Sequence, residues 1–300
     1  MIPTDCSVLR TPTIPQGLSP TYEQTHVVSG LLTLVSLYNH NTDRMEYLIM
    51  AFDGITISNI VNDLNNTILG GRLYKIAQPE SDELLLTVKT SSGQYRVVLS
   101  ANASLPLAYI TDDNKPSPAT APNFVMLLRK HINNGRIISV TQPSLERIID
   151  IEIEHLDELG DLCKRHLITE FMGKHSNIIL CDDDNNILDS IKHVSAQISS
   201  VREVLPGRKY FIPNTANKHN PLDTDYERFS SSVLVCPKPL SKALCQTYTG
   251  ISTCIAEEVC FRSGIDSNKP ANCLSDEESR LIYNAFDGIM SDVKNKIYSP

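Results

Sequence analysis

The chain has 300 residues, a formal net charge of −8, 41% hydrophobic residues and no tryptophan. That length suits about two domains with sizeable cores. The acidic balance excludes a simple polycationic nucleic-acid binder but leaves room for a local basic patch, and no apolar run reaches the length of a membrane-spanning helix.

Residues 1–49 are rich in Pro, Thr and Ser around one apolar island, VVSGLLTLVSLY. The island lacks a charged lead and a small-residue cleavage site, so it does not read as a secretory signal. At Met50 the character changes: Met50-Ala51-Phe52-Asp53-Gly54 reads as the start of a protein, with an acidic helix cap. The expectation is a functional chain beginning at Met50, with 1–49 an extension outside it.

From there the elements follow in order. Ile57, Ile60, Val61, Leu64 and Ile68 recur at helical spacing, which predicts a helix over Ile55–Leu69, capped by Asp53 and ended by Gly70-Gly71. Strands are predicted at Arg72–Ala77, Leu84–Lys89 and Tyr95–Ser100, and Thr111–Pro122 reads as a polar loop. A second helix covers Asn123–Asn133. Strands Arg136–Thr141 and Arg147–Glu154 are joined through Gln142-Pro143-Ser144, and Asp157–Arg165 reads as a charged connector. Residues 167–194 form a meander of three runs, Leu167–Phe171, Asn177–Cys181 and Ile187–Ile191, with Lys174-His175-Ser176 in one turn and three aspartates in the other. Because strands dominate and helices do not alternate with them, residues 50–215 are expected to be one α+β domain, mostly antiparallel sheet with two helices. Residues 216–235 read as a linker. Residues 236–300 turn helical: Ser241–Tyr248, a tight Gly250-Ile251-Ser252 turn, Thr253–Arg262, then a long amphipathic helix over Asp276–Lys296.

Chemistry-bearing motifs are sparse. There is no G-x-S-x-G, phosphate loop, G-x-G-x-x-G or H-E-x-x-H. The Asp182-Asp183-Asp184 run lacks the spacing, glycine and closing glutamate of a calcium loop and reads as a solvated hairpin turn. Five of the eight cysteines fall between 236 and 273, none as C-x-x-C and none at zinc-site spacing, so buried free thiols in a reducing cytoplasm are expected. No catalytic residue, metal or cofactor is assigned. Gly250-Ile251-Ser252 resembles the turn of a helix-hairpin-helix, where backbone N–H groups grip a phosphate without reading sequence. An ordinary helical hairpin accounts for the same residues. Arg129 and Lys130 lie along the second helix, and of the basic residues that include them together with Lys174, His175 and Arg202, several sit at strand ends or turns of one inferred sheet. They are candidate RNA phosphate contacts with Gly250 if they converge, and otherwise an ordinary mixed-charge surface.

Four strings carry a resemblance: MAFDGITISNIVNDL, FVMLLRKHINNGRIISVTQPSLERII, EFMGKHSNIILCD and SIKHVSAQISSVREVLPGRKYFIP. Over about residues 50–300 the chain resembles the N-terminal region of the NFACT family. The resemblance implies a non-enzymatic factor that binds the large ribosomal subunit carrying an obstructed peptidyl-tRNA. It would recruit tRNA, alanyl-tRNA in bacteria, for untemplated extension of the stalled chain, the ribosome itself making the peptide bond. It implies no membrane and no small-molecule substrate, and a first domain like that of formamidopyrimidine-type DNA glycosylases. A helix-hairpin-helix region and a coiled coil beyond this chain would follow. The family's tRNA-contacting positions fall on Asp53, Glu146 and Arg147, with Glu146 standing where the family has Asp. Two alternatives remain. A glycosylase-like DNA-repair protein would need an N-terminal proline amine, and neither Met50-Ala51-Phe52 nor Met1-Ile2-Pro3 supplies it. An adhesin, after the older fibronectin/fibrinogen-binding label of bacterial members, would call for a signal or anchor.

Overall fold

The computed structural model describes residues 52–298 apart from 117, 158 and 214–216. The expected extension 1–49, the start at Met50 and Cys6 lie outside the described residues.

Helix α1 (Gly54–Ile68) forms where the apolar spacing requires it and buries Ile57, Ile60, Leu64 and Ile68. Asp53 caps it, its Oδ1 accepting from the Thr56 N–H at 2.9 Å. Strands β1 (Arg72–Ala77), β2 (Glu83–Lys89), β3 (Gln94–Ser100) and β4 (Leu107–Thr111) follow. After α2 (Asn123–Ile132) come β5 (Arg136–Thr141), β6 (Ile148–Leu156), β7 (Leu162–Glu170), β8 (Asn177–Asp182) and β9 (Ile187–Ser190). All nine strands form one antiparallel sheet in the order β4-β3-β2-β1-β5-β6-β7-β8-β9.

The sheet has a weak centre. β1 meets β5 in register only at Arg72 and Arg136, reinforced by Gly70 N–H to the Ile137 carbonyl and Ile137 N–H to the Gly71 carbonyl, both 2.9 Å. On either side of that crossing, the two halves bury apolar residues against the same helices. Leu84, Leu86, Val97 and Leu99 from one half join Ile149, Ile151, Leu167 and Leu180 from the other, with the buried faces of α1 and α2 between them. The two halves also meet away from that crossing, since Lys192, just past β9, donates to the Ala101 carbonyl just past β3.

Two parts of the sheet differ from the sequence reading. β4 was not expected, although Leu107–Ile110 is an apolar run; it is an edge strand paired with β3 alone. The end of the charged connector Asp157–Arg165 is strand from Leu162 onward, because β6 and β7 continue as a long hairpin to Leu156 and Leu162. Its charges are outward positions matched across the strands. Glu154 lies opposite Lys164, and the Lys164 ammonium sits 2.8 Å from Glu152.

Within the segment 216–235, expected to be a linker, residues 217–235 are described and include helical turns. A 3-10 turn at Pro221–Asp223 leads into α3 (Tyr226–Phe229), which continues as one π-helical stretch, Ser230–Leu234. Phe229 is fully buried in the second core, beside Tyr248 and Phe286. That core gathers α4 (Leu240–Thr247), α5 (Thr253–Ser263) and α6 (Asp276–Lys294), through Leu240, Leu244, Val259 and Ile282. A reciprocal Ser275–Glu278 capping box starts α6. Among the described cysteines, Cys181 and Cys260 are buried free thiols, whereas Cys254 and Cys273 are exposed, against expectation. Among the described residues no helix is long and apolar enough to cross a membrane.

Replacing Phe229 with Ala should lower stability by about 3–5 kcal/mol. Thermal unfolding checks this: a fall in Tm of less than ~2 °C would show that 216–235 behaves as a linker after all.

Candidate nucleic-acid interface

Three distant segments meet where the sheet joins the helical half. The first is Asp53-Gly54, the second Gln142–Arg147 and the third Gly250–Ser252. Gly54 N–H donates to the Gly250 carbonyl at 2.9 Å. The backbone between β5 and β6 turns through two consecutive left-handed residues, Ser144 at φ 44° and Leu145 at φ 60°. That strain drives the Leu145 side chain into the helical core, where it is buried. It also presses the Leu145 carbonyl between the two glycines. A Cβ on Gly54 or on Gly250 would each stand 2.2 Å from that oxygen. Gln142 closes the loop, its amide donating to the Gly54 carbonyl at 2.7 Å and to the Glu146 carbonyl at 2.8 Å.

Asp53 serves both halves. Besides capping α1, its Oδ2 accepts from the Ser252 hydroxyl at 2.7 Å, and Ser252 in turn caps α5 by accepting from the Ile255 N–H at 3.2 Å. With both oxygens hydrogen-bonded and 6% exposure, Asp53 braces the junction of the two halves. Gly250, expected as a phosphate contact, gives its carbonyl and its bare α-carbon to this joint.

The loop ends on Glu146 and Arg147. Burial pushes the Glu146 carboxyl above the ordinary glutamate range, with Arg147 and Lys218 pulling it partly back. Arg147 is exposed. Its backbone carbonyl is held by the Phe171 N–H at 2.9 Å, while its guanidinium makes no hydrogen bond or ion pair among the described residues. The same Phe171 packs at a tilt against Phe52 ahead of α1, with ring centroids 5.1 Å apart, and leads into the Gly173–His175 turn. Lys174 and His175 are exposed on that turn. Since Ile148 lies opposite Glu170 and Phe171 pairs with Arg147, the turn sits at the same end of the sheet as Arg147.

The remaining candidates do not join this group. Arg129 is occupied by the Ile76 carbonyl, reached from Nε at 3.2 Å and Nη2 at 2.8 Å, and Lys130 follows it at the end of α2. Arg202, half-buried, forms an ion pair with the fully buried Glu170, donates to the Phe211 carbonyl at 2.7 Å and lies over the Tyr210 ring. Tyr210 completes the arrangement by donating to Glu170 at 2.9 Å. A sequence signal for this pairing is lacking, because Glu170 and Arg202 are brought together only by the meander. Gln142, Leu145 and Ser252 were also missed, although Pro143 marks the turn and Ser252 stands one residue before a helix.

Among the described residues, Glu152, His166 and Asp183 place liganding atoms within 4.8 Å of one another. Lys164 already neutralises Glu152, and Asp150 holds His166 Nδ1 at 3.0 Å, raising the imidazole pKa. These partners compete with a cation, and the group lies along the β6–β8 face rather than at the loop.

Residues 53–300 match the family model described as NFACT N-terminal and middle domains. This chain belongs to the NFACT family. Among NFACT relatives, a Bacillus subtilis protein named Rqc2 homolog RqcH is 36% identical over 217 residues, covering 72% of this chain and 38% of the relative. A human protein named ribosome quality control complex subunit NEMF is 22% identical over 218 residues, covering 72% of this chain and 19% of the relative. The N-terminal structure of the fibronectin/fibrinogen-binding protein from Streptococcus suis superposes with a TM-score of 0.67 at 30% identity, over 79% of this chain and 85% of that one. The chain thus spans about two fifths or less of the length of these curated relatives.

Gly250→Ala should destabilise the protein by about 3 kcal/mol or more, from left-handed strain and the clash with Leu145. Gly207→Ala, with φ 79° but open space around its Cβ, should cost only about 1 kcal/mol; equal losses in chemical denaturation would show that the contact is not tight. Because burial raises the Glu146 pKa, its charged form costs stability once pH exceeds that raised value. Glu146→Gln should therefore raise Tm at pH 8, and the gain should vanish below the ordinary value of 4.5. A gain that persists at pH 4 would show that charge is not its cause.

Proposed function

We propose that this chain is the N-terminal part of a ribosome quality-control factor that engages the large ribosomal subunit carrying a stalled peptidyl-tRNA and recruits tRNA for untemplated extension of the nascent chain. The factor acts by binding, with the ribosome making the peptide bond. One observation carries the reading to a site: a strained, three-way-braced loop holds Arg147 outward with its guanidinium uncommitted. A guanidinium fork on a rigid support suits a tRNA phosphate or base edge, and Glu146 beside it limits how that fork can be oriented. Lys174 and His175, at the same end of the sheet, extend the cationic face for backbone contact. Family membership and relatives named for ribosome quality control support the same reading. Alanyl-tRNA is the substrate that bacterial kinship suggests.

Arg147→Ala should weaken tRNA binding by about 1–3 kcal/mol while leaving Tm unchanged, read by ribosome co-sedimentation with sequencing of bound tRNA. Unchanged tRNA recovery removes Arg147 from the interface, and no enrichment on large subunits ends the reading. A second reading, binding of fibronectin or fibrinogen, is favoured by the names of solved relatives at 30% identity. Saturable capture of the chain on immobilised fibronectin or fibrinogen would support it.

A further inference from the structure

The outer face of the sheet, turned away from the core, carries cations in rows. Leu73, Val88 and Ile137 turn inward to the core, so their neighbours Arg72, Lys89 and Arg136 turn outward, and all three are exposed. Strand pairing sets these three side by side, Arg136 opposite Arg72 and Arg72 opposite Lys89. A second row lies about 7 Å further along the strands. There Lys75 stands opposite Thr87, and Thr87 opposite Arg96. Thr87 is buried between the two long side chains. Neither row meets a carboxylate on β1, β2 or β3. The first row reaches one only on β6, where Glu154 lies opposite Arg136 and has Lys164 on its other side.

This order is costly to the free protein. Like charges directly opposite one another destabilise a sheet, and Arg72–Arg136 is the single register pair between β1 and β5. The repulsion therefore falls on the weakest crossing of the sheet. The rows are nonetheless held in place. Arg72 donates to the Asn134 carbonyl at 3.1 Å. Tyr74, the extra residue of the β1 bulge, lies under the Lys89 ammonium, 3.3 Å from the ring centre.

Positive points repeated about 5 Å across the strands and about 7 Å along them suit a chain of phosphates better than one enclosed anion. Arginine forks in both rows suit phosphate oxygens. A membrane surface would call for apolar side chains to insert, and the two rows hold no aliphatic side chain. We propose that this face is a second RNA contact, gripping the phosphate backbone of a folded RNA without reading its sequence. The proposal rests on the RNA-binding reading above and adds a separate surface to it. Arg136 opens β5 and the Arg147 loop follows its far end, so the two surfaces stand about 20 Å apart along the strand, well beyond the screening length at physiological salt. Their contributions to affinity should therefore add. The phosphates belong either to the recruited tRNA or to ribosomal RNA.

The test uses the 300-residue chain with a labelled tRNA, read by fluorescence anisotropy across a salt series, and purified large ribosomal subunits, read by co-sedimentation. The double variant Arg72→Gln, Lys89→Gln should weaken RNA binding about tenfold and flatten the slope of log affinity against log salt by about two. Its Tm should be unchanged or raised, because the repulsion within the row is relieved. Arg136→Gln alone should weaken binding about threefold, which keeps the test decisive should the double variant unfold. A loss confined to tRNA places the face on tRNA, and a loss confined to subunits places it on ribosomal RNA. If the variants leave affinity and salt slope unchanged for both while Arg147→Ala still weakens tRNA binding, this face is no RNA contact and the reading at Arg147 stands. If the wild-type chain binds neither tRNA nor subunits, both fail. Variants that lose binding to phosphatidylserine vesicles or to poly-glutamate, with RNA binding intact, would assign the face to a membrane or an acidic protein and overturn the proposal.

Discussion

The arrangement depends on one close approach, that of the Leu145 carbonyl to the α-carbons of Gly54 and Gly250. No side chain fits there, so two glycines from opposite ends of the fold are required at once. With them in place, the backbone hydrogen bond from Gly54 to Gly250 and the Asp53–Ser252 bridge lock the start of α1 to the start of α5. The joint is polar at its edge and apolar inside, where Leu145 enters the helical core. Sheet and helices therefore share a contact with little freedom to hinge, which is what a precise display of neighbouring side chains needs.

The strain at Ser144 and Leu145 is a local cost offset by this joint. Two left-handed non-glycine residues in succession are unfavourable alone. They persist because Gln142 braces the loop from within and Leu145 gains burial from without. What the loop presents is Glu146 and Arg147, one half-buried and one exposed. The charged groups differ mainly in what already holds them. Arg202 and Arg129 are held by the protein itself, so their charge serves the fold. Arg147 and Lys174 share an end of the sheet and are exposed, so they form a local basic patch even though the chain as a whole is acidic.

Much of the fold was legible in the sequence. The period of Ile57, Ile60, Leu64 and Ile68 gave α1, and turn residues bounded most strands. The errors share one cause. Leu162–Arg165 looked like a connector because its charges are paired across the β6–β7 hairpin, and a cross-strand partner cannot be read from local pattern. Residues 226–234 looked like a linker because their polar and serine-rich composition hides Phe229 and Val233, which only the surrounding helices bury. Edge strand β4 was missed because it is short and has one partner.

The sequence by itself determined the antiparallel α+β character, the helical second half, the cap at Asp53 and the kinship that drew attention to Glu146 and Arg147. Those follow from spacing, turn chemistry and motif order, all of which are local along the chain. Only the tertiary structure decided which charged residues the protein itself holds, how Asp53 and Gly250 join distant segments, and that Tyr248 lines a polar cavity. Each of these depends on contacts between residues far apart in sequence, as with Asp53 and Ser252 or Glu170 and Arg202, and folding alone determines whether a polar group is satisfied by the protein or left for a partner.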